Sequence, residues 1–407
     1  MMLAAKQPSA EISTGGPAHG LAGGYARATA PVVLLVVGGY IVLKPYYLLP
    51  SGLPQIADMI LVASLPFVLL LPQPRWSEHA TAFRFCLMVF CSYAALVNLG
   101  WTFALMDPRM ALGAMHYLFN LCLVIICLRI GVLHPRATLL TIAYAIALSA
   151  AIQAASAAFT YDAARLRQIA SFNNPNQLGY WSLLSLCILW SIAGRVKVKW
   201  YVQAPIVACL IYLAALSLSK ATMIAAVLLC GLHFVRKPKL ILVGLIAIVP
   251  IYLVIESSDL FERVSGRLLD IGEQSDDNLQ ARGFPRIVEY PEYLLTGAGE
   301  GALYRFYEAD VGDEQIHEIH STFLTIMFSY GLVGTAAFAA AIWRLYRLSS
   351  GGAFLYLIPP FLYGLTHQGL RFSFFWLLLA VIGVLGSVAS RDAVAAGTRA
   401  RTSLQGL

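Results

Sequence analysis

Charged residues are scarce in this chain of 407 residues. Asp, Glu, Lys and Arg together make up 12% of it, whereas apolar residues make up 59%. In an ordinary soluble domain about a quarter of the residues are charged, so this composition excludes that class. The sequence predicts an integral membrane protein that crosses the bilayer several times.

Metal-ligand motifs and fixed repeats are also absent from the sequence. No Cys-x-x-Cys or closely paired Cys/His spacing occurs, and the seven cysteines all fall in predicted helices. Neither a disulfide framework nor a metal site is therefore expected, and no cofactor is predicted. The lack of an internal repeat slightly disfavours transporter folds that are built from repeated halves.

Basic residues are few in the one long polar stretch, residues 257–318, which is called the acidic segment below. It holds 14 of the 21 Asp and Glu residues but only 5 of the 28 Lys and Arg residues. Nucleic-acid-binding surfaces cluster basic residues to neutralise phosphates, so no nucleic-acid partner is expected. A few spaced arginines in an acidic stretch instead favour a cover over a site that holds one or two phosphates.

Twelve apolar runs are long enough to cross a hydrocarbon core of about 30 Å as helices of about 20 residues. They lack the alternation of barrel strands, and lipid offers the backbone no hydrogen-bond partners, so the predicted fold class is all-α. The runs begin near Pro31, Ile56, Phe83, Leu112, Ala137, Leu178, Val202, Ala221, Leu240, Ile319, Ala353 and Arg371.

The positions of the basic residues predict the orientation. If the amino terminus is cytoplasmic, 17 of the 28 Lys and Arg residues fall on the cytoplasmic side, as the positive-inside rule favours. The acidic segment then lies on the outer face, and both termini are cytoplasmic. The predicted organisation is a disordered tail at 1–30, nine helices in 31–256, the acidic segment at 257–318, three helices in 319–390 and a second tail at 391–407.

Arg165 and Arg167 precede an Asn-Asn-Pro-Asn run, residues 173–176, at the start of the sixth predicted helix. The run is typical of a turn with an Asn cap. The start of a helix also attracts anions, because its free N–H groups and its dipole are positive there. The two interpretations are compatible. They make the two arginines candidate phosphate ligands, and Asn174 and Asn176 candidate residues for binding another part of the substrate.

Three further cations stand near predicted helix ends. Lys220 follows a short Ser-Leu-Ser connection and is either an interfacial lysine that reaches water or a fixed cation beside an anionic substrate. Arg282 and Arg286 are four residues apart, and Pro285 between them predicts that a helix begins there. Two arginines at a helix start can hold a diphosphate through bidentate hydrogen bonds. The alternative is that they pair with carboxylates of the acidic segment.

His320 stands where the acidic segment enters an apolar helix. A histidine there can accept a proton near neutral pH or hydrogen-bond to a phosphate; alone, it would more often be packed at the interface. His317 either shares this function or is solvated, while His367 and Arg371 flank the last outer turn and could line the same cavity. The Gly-Ala-Gly-Glu-Gly run at 297–301 lacks the surroundings of a dinucleotide fingerprint and predicts a tight or flexible turn.

The order of these motifs resembles the O-antigen ligase and polymerase family of bacterial membrane proteins. The similarity spans roughly residues 160 to 345. It rests on Phe-Asn-Asn-Pro-Asn at 172–176, Ser-Leu-Ser-Lys at 217–220, Arg282 ahead of the glycine run, and His-Ser-Thr-Phe-Leu at 320–324 with Tyr-Gly-Leu-Val-Gly at 330–334.

This resemblance implies a C-type glycosyltransferase fold in the bacterial inner membrane, with the active site facing the periplasm. It implies a metal-independent, inverting transfer from an undecaprenyl-diphosphate-linked glycan to an acceptor hydroxyl. Arg282 matches the family's loop arginine, His320 its histidine before the tenth helix, and Arg165 or Arg167 the arginine that precedes Asn-Pro-Asn. Lys220 stands where the family commonly has arginine, which weakens the case for bidentate binding at that position.

The resemblance also suggests how the chemistry is divided. Cationic side chains would stabilise the charge that grows on the diphosphate, and His320 would deprotonate the acceptor or hold the phosphate. The cations proposed for the diphosphate are Arg165, Arg167, Lys220, Arg282 and Arg286.

Several alternatives stay open. A ligase transfers the glycan to lipid A core, a polymerase to a second lipid-linked glycan, and transfer to protein is rarer. A lipid-linked oligosaccharide flippase or another transporter would bind without reacting, but transporters usually place ionisable residues at mid-membrane depth, and here Asp58 is almost the only acidic residue in a predicted span. A third class is an interaction protein with an acidic ectodomain. The enzyme requires Arg282, His320 and the Asn-Pro-Asn turn to meet at one cavity.

Overall fold

The computed structural model describes residues 18–47, 54–160, 162, 167–196, 199–236, 282–306, 318–349 and 352–405, with the backbone alone at 18–28, 200, 236 and 395–405. Within these ranges the chain is helical and contains no strand. Its helices are α1 (Ala18–Leu43), α2 (Ile56–Ala63), α3 (Leu65–Leu70), α4 (Glu78–Leu105), α5 (Arg109–Leu133), α6 (Pro135–Phe159), α7 (Pro175–Ile192), α8 (Trp200–Leu216), α9 (Lys220–Arg236), α10 (Arg286–Glu289), α11 (Thr322–Leu348), α12 (Ile358–Gly364) and α13 (Ser373–Gln405).

Among the residues that the structure describes, five helices are long and apolar enough to cross a membrane: α4, α5, α6, α11 and the first part of α13. Shorter apolar helices lie at Thr29–Leu43, Ile56–Leu70, Tyr201–Leu216, Lys220–Val235 and Phe354–Gly364. The predicted all-α membrane class is confirmed. The predicted run from Leu240 lies outside the described residues, so the number of twelve helices stays a prediction.

The two predicted tails differ from the helix boundaries in the structure. α1 begins at Ala18, well ahead of the predicted start at Pro31, and α13 continues to Gln405 through most of the predicted tail at 391–407. Both extensions are rich in alanine, the residue with the highest helix propensity. The predicted membrane span ends where the sequence becomes less hydrophobic, but the helix continues past that point.

α13 occupies the centre of the bundle. Every residue from 374 to 382 is buried, whichever side of the helix it faces. A helix that is apolar all round has no solvent face and is expected in the interior. The surrounding helices therefore pack around its first half, and the residues just before it are held near the bundle axis.

Hydrogen bonds between connections define one end of the bundle, which is called the upper end here. The Ser171 hydroxyl donates to the Pro45 carbonyl (3.0 Å), and the Arg282 guanidinium donates to the Thr366 carbonyl (3.0 Å). At this end the connections after α1 and α6 therefore meet each other, and the connection after α12 meets the described part of the acidic segment.

Several predicted cytoplasmic arginines gather at the opposite, lower end. Arg195 pairs with Asp392 at 2.7 Å, and Arg391 donates to the Val132 carbonyl at 2.9 Å. The separation of these arginines from the acidic segment is the one predicted from the sequence. Which end faces the periplasm stays a prediction.

A buried ion pair explains Asp58, the acidic residue noted within a predicted span. Lys44 follows α1, and its ammonium lies 2.7 Å from the Asp58 carboxylate, with both side chains less than a tenth exposed. The same carboxylate accepts the Gln55 N–H at 2.9 Å in the first turn of α2. A buried carboxylate with a cation and a capping N–H is tolerated where an unpaired one is not.

α11 is broken at Gly331, where φ is +61° and ψ is −167°, a region essentially restricted to glycine. Residues 294–301, called the glycine turn below, fill this break. The Leu332 N–H donates to the carbonyl of residue 294 at 2.8 Å, and the N–H groups of residues 298 and 299 donate to the carbonyls of Phe328 and Ser329, both at 2.9 Å. The glycine turn is therefore an ordered part of the bundle.

Changing Gly331 to alanine is expected to lower the thermal unfolding midpoint in detergent by several degrees. A Cβ atom there would lie 2.3 Å from the Leu295 carbonyl oxygen, and the backbone strain alone costs about 1–3 kcal/mol. Gly100→Ala in α4 is the matched control, since its Cβ would meet no atom within 4 Å. Equal midpoints for the two variants would contradict the packing described above.

Candidate active site

His320 lies immediately before α11, at the junction predicted from the sequence. The Ser321 hydroxyl caps the helix by accepting the Leu324 N–H at 3.4 Å. Next to it, the N–H and the hydroxyl of Thr322 both donate to the His367 carbonyl at 3.1 Å. These contacts fix the start of α11 to the connection between α12 and α13, which carries His367.

Arg282 is held beside His320. The His320 N–H donates to the Arg282 carbonyl at 3.1 Å, and the Arg282 guanidinium donates to the Thr366 carbonyl at 3.0 Å. The Thr366 hydroxyl lies 3.1 Å from Nδ1 of His367. The acidic segment, the start of α11 and the connection at 365–372 therefore meet at one place.

The start of α7 reaches the same place. The Asn174 side chain caps α7 by accepting the Gln177 N–H at 2.9 Å, which confirms the predicted Asn cap. The Arg167 guanidinium donates to the Asn176 side-chain oxygen at 2.5 Å. The Asn176 carbonyl in turn accepts the Tyr363 hydroxyl at 3.5 Å, one helical turn from His367.

Stacked rings complete this connection. The rings of Tyr180, in the second turn of α7, and Tyr363 are 4.1 Å apart and nearly parallel, and Tyr363 stacks on His367 at 4.7 Å. The structure thus brings together Arg167, Asn176, Arg282, His320 and His367, which are called the cation site below.

Lys220 lies close to the cation site along the chain. It is the first residue of α9 and comes three residues after Ser217, whose carbonyl accepts the Arg167 guanidinium at 2.9 Å. The short connection predicted between these two helices is present between α8 and α9. A Cβ on Gly179 would lie 2.5 Å from the Ser217 hydroxyl, so α7 packs directly against this connection.

The pKa of His367 is lowered by its burial and by the positively charged residues around it. Burial lowers the pKa of its imidazole, and the nearby charges of Arg282, His320 and Arg167 lower it further, to about 3. The imidazole therefore stays neutral at physiological pH. It can accept or donate a hydrogen bond without adding a charge.

Acidification is expected to destabilise the protein through His367. A free histidine titrates near pH 6.5, so between about pH 6.5 and 3 the unfolded chain binds a proton that the folded chain does not. The free energy of unfolding therefore falls as the pH is lowered from 7 to 5. His367→Asn should reduce the difference between thermal midpoints at these two pH values. If His367→Asn shows the same difference between its two midpoints as the wild type, the lowered pKa of His367 is disproved.

Arg286 and Arg371 lie in an adjoining cleft. Arg286 opens α10 directly after Pro285, which confirms the predicted helix start, and its guanidinium lies 5.7 Å from the Phe306 ring centroid. Arg371 pairs with Glu318 at 2.7 Å and with Glu300 at 2.5 Å. Since Glu318 comes two residues before His320, the cleft borders the cation site.

The sequence did not indicate the importance of Glu300, the acidic residue in the glycine turn. Its buried carboxylate accepts the hydroxyls of Tyr117 (2.6 Å) and Tyr330 (2.7 Å) as well as Arg371, while its N–H donates to Asn98 at 2.7 Å. Burial alone would raise the pKa of this carboxyl, but Arg371 and the tyrosines outweigh burial and lower it. An acidic residue in an acidic segment gives no signal that distinguishes it from its neighbours.

Two predicted site residues, Arg165 and His317, lie outside the described residues, as do positions 257–281 and 307–317 of the acidic segment. Their functions stay predictions. All seven cysteines are free thiols. Over the ranges that the structure covers, no group of three His, Cys, Asp or Glu side chains is arranged to hold a metal ion.

Comparison with known proteins supports the predicted resemblance. A search of curated proteins gave no match. A family model described as O-Antigen ligase (Wzy_C) matches residues 205–339, about a third of the chain. The matched range includes Lys220, Arg282, Arg286 and His320, and it ends before His367. Over this third, the chain is similar to the O-antigen ligase family.

Proposed function

We propose that this protein is a glycosyltransferase of the bacterial inner membrane that acts at the periplasmic face. It moves a glycan from an undecaprenyl-diphosphate carrier to an acceptor hydroxyl, either on lipid A core or on a second lipid-linked glycan. The observation that carries the proposal is the convergence of Arg167, Arg282 and His320 at the starts of α7 and α11. Two arginines beside two helix starts form a strong site for a diphosphate.

The arrangement suits a reaction in which the leaving group gains charge. The acceptor hydroxyl attacks the anomeric carbon, the bond to the carrier's oxygen breaks, and the diphosphate leaves with the electron pair. Direct displacement inverts the anomeric centre. Fixed cations stabilise the charge as it develops and need no rearrangement during the step. In this proposal Arg167, Arg282 and Lys220 supply the positive charge that a divalent ion supplies in metal-dependent transfer.

His320 is proposed to act on the acceptor or on the phosphate. As a general base it takes the hydroxyl proton, and as a phosphate ligand it donates a hydrogen bond. Its backbone N–H is engaged with Arg282, so the two residues are held together whichever way the imidazole acts. If the rate of glycan transfer falls on acidification as a single group becomes protonated, His320 acts as the general base.

The test is transfer of a radiolabelled glycan from undecaprenyl diphosphate by the purified protein, with lipid A core and a second lipid-linked glycan offered separately. Product on one acceptor would establish the transferase and identify it as a ligase or a polymerase. No product with either acceptor, together with donor movement across sealed vesicles, would show a flippase and overturn the proposal.

A further inference from the structure

The cleft beside the cation site has a different chemistry from the cation site itself. Its charged and amide lining consists of two arginines, two carboxylates and one amide: Arg286, Arg371, Glu300, Glu318 and Gln368. Thr325 and Ser329 add two hydroxyl groups. The formal charges of these groups balance. Phe306 and Phe328 add apolar surface along one wall.

This balance excludes a second phosphate site. Arg371 is already neutralised by Glu300 and Glu318 at 2.5 and 2.7 Å, so a phosphate entering the cleft would meet two negative charges. Sugar hydroxyls both donate and accept hydrogen bonds. They match a mixed lining in which Glu318 accepts and Arg286 donates. The Gln368 amide donates to Glu300 at 3.2 Å, and its second N–H and its carbonyl oxygen can donate to and accept from a sugar.

Exposure distinguishes the two carboxylates. The Glu300 side chain is 2% exposed and is saturated by its partners, whereas the Glu318 side chain is 41% exposed. Arg371 holds both Glu318 oxygens, at 2.7 and 2.9 Å, which fixes the carboxylate while leaving it open to a ligand. Each carboxylate oxygen can accept more than one hydrogen bond.

The cleft is also connected to the reacting centre at two points. Glu318 comes two residues before His320, and Gln368 directly follows His367. The space in the cleft is about 20 Å³, room for about one water-sized group. This volume suits a single hydroxyl or hydroxymethyl group and is too small for a whole sugar ring.

We propose that this cleft binds a hydroxyl group of the acceptor saccharide and so orients the neighbouring, attacking hydroxyl toward His320. Glu318 and Gln368 are the residues that contact the sugar, and Arg371 and Glu300 are positioning residues for Glu318. The inference rests on the proposed transferase function. It assigns a neutral saccharide to the cleft and the anionic diphosphate to the cation site.

The experiment measures the KM for donor and acceptor separately in Glu318→Gln and in Gln368→Leu. The KM for the acceptor is expected to rise by about tenfold or more, as for the loss of a hydrogen bond to a charged group, while the KM for the donor stays within about twofold. Glu292→Gln is the matched control, because Glu292 is an exposed carboxylate outside the cleft. If Glu318→Gln fails to fold, Gln368→Leu decides the question.

Two outcomes would overturn the inference in different ways. If the wild type transfers glycan but both variants keep the wild-type KM for the acceptor, or lose donor affinity equally, the cleft is not the acceptor subsite and the transferase assignment stands. If the wild type transfers to neither acceptor, the proposed function fails and the subsite fails with it.

Discussion

Arg282→Lys is expected to lower the rate of glycan transfer by about 100-fold or more. A lysine keeps the charge but presents a single ammonium, which cannot make the paired hydrogen bonds of a guanidinium to two phosphate oxygens. It also cannot donate to the Thr366 carbonyl, 3.0 Å from the guanidinium, and reach a phosphate in the same geometry. Removing one donor that stabilises developing charge costs about 100- to 1,000-fold in other enzymes.

The measurement is the initial rate of transfer at saturating donor, with protein that elutes and melts like the wild type. Arg109→Lys is the matched control. Arg109 lies at the same end of the bundle, pairs with Asp107 at 2.7 Å and has a side chain that is 69% exposed. A loss of less than about threefold in Arg282→Lys, or an equal loss in the control, would exclude Arg282 from the reaction.

Glu300→Ala is expected to lower the free energy of unfolding by about 3–5 kcal/mol, the usual cost of removing one member of a buried ion pair. The change would leave the hydroxyls of Tyr117 and Tyr330 without their acceptor and would take one carboxylate from Arg371. Glu300→Gln preserves the shape and one acceptor oxygen, so it should lose less stability than Glu300→Ala.

Thermal and denaturant unfolding in detergent would measure both Glu300 variants. Glu292→Ala removes an exposed carboxylate from the same segment, and such surface changes usually stay within about 0.5 kcal/mol. If Glu300→Ala melts at the same temperature as Glu292→Ala, the carboxylate network does not support the upper end of the bundle.

The features that the sequence could predict depend on local physical chemistry. Asn174 caps α7, and Pro285 precedes α10, because each preference is set by a few adjacent residues. His320 was recognisable because charge gives way to apolar residues at that point. The enzyme interpretation requires Arg282, His320 and the Asn-Pro-Asn turn to meet at one cavity. The structure brings Arg282, His320 and Asn176 together, and the cavity stays a prediction.

The features that were missed depend on distant pairing. Two Glu300 partners, Asn98 and Tyr117, lie about 200 positions before the glycine turn, and the third, Tyr330, lies 30 positions after it. No local pattern in the sequence relates these residues to Glu300. The break at Gly331 was also invisible, because a glycine in an apolar helix is usually tolerated without a change of backbone conformation. The Lys44–Asp58 pair falls between these cases, since Asp58 stood out but its partner did not.

The long separation between α4 and the glycine turn constrains how the protein is made. The hydroxyl of Tyr93 donates to the Thr296 carbonyl, 203 positions later, and the Asn98 side chain accepts the N–H of Glu300, 202 positions later. At about 5–20 residues per second, about 10 to 40 seconds of synthesis separate the two partners. During that interval these groups of α4 have no turn to bind. The amino-terminal helices are therefore synthesised well before these hydrogen bonds to the glycine turn can form.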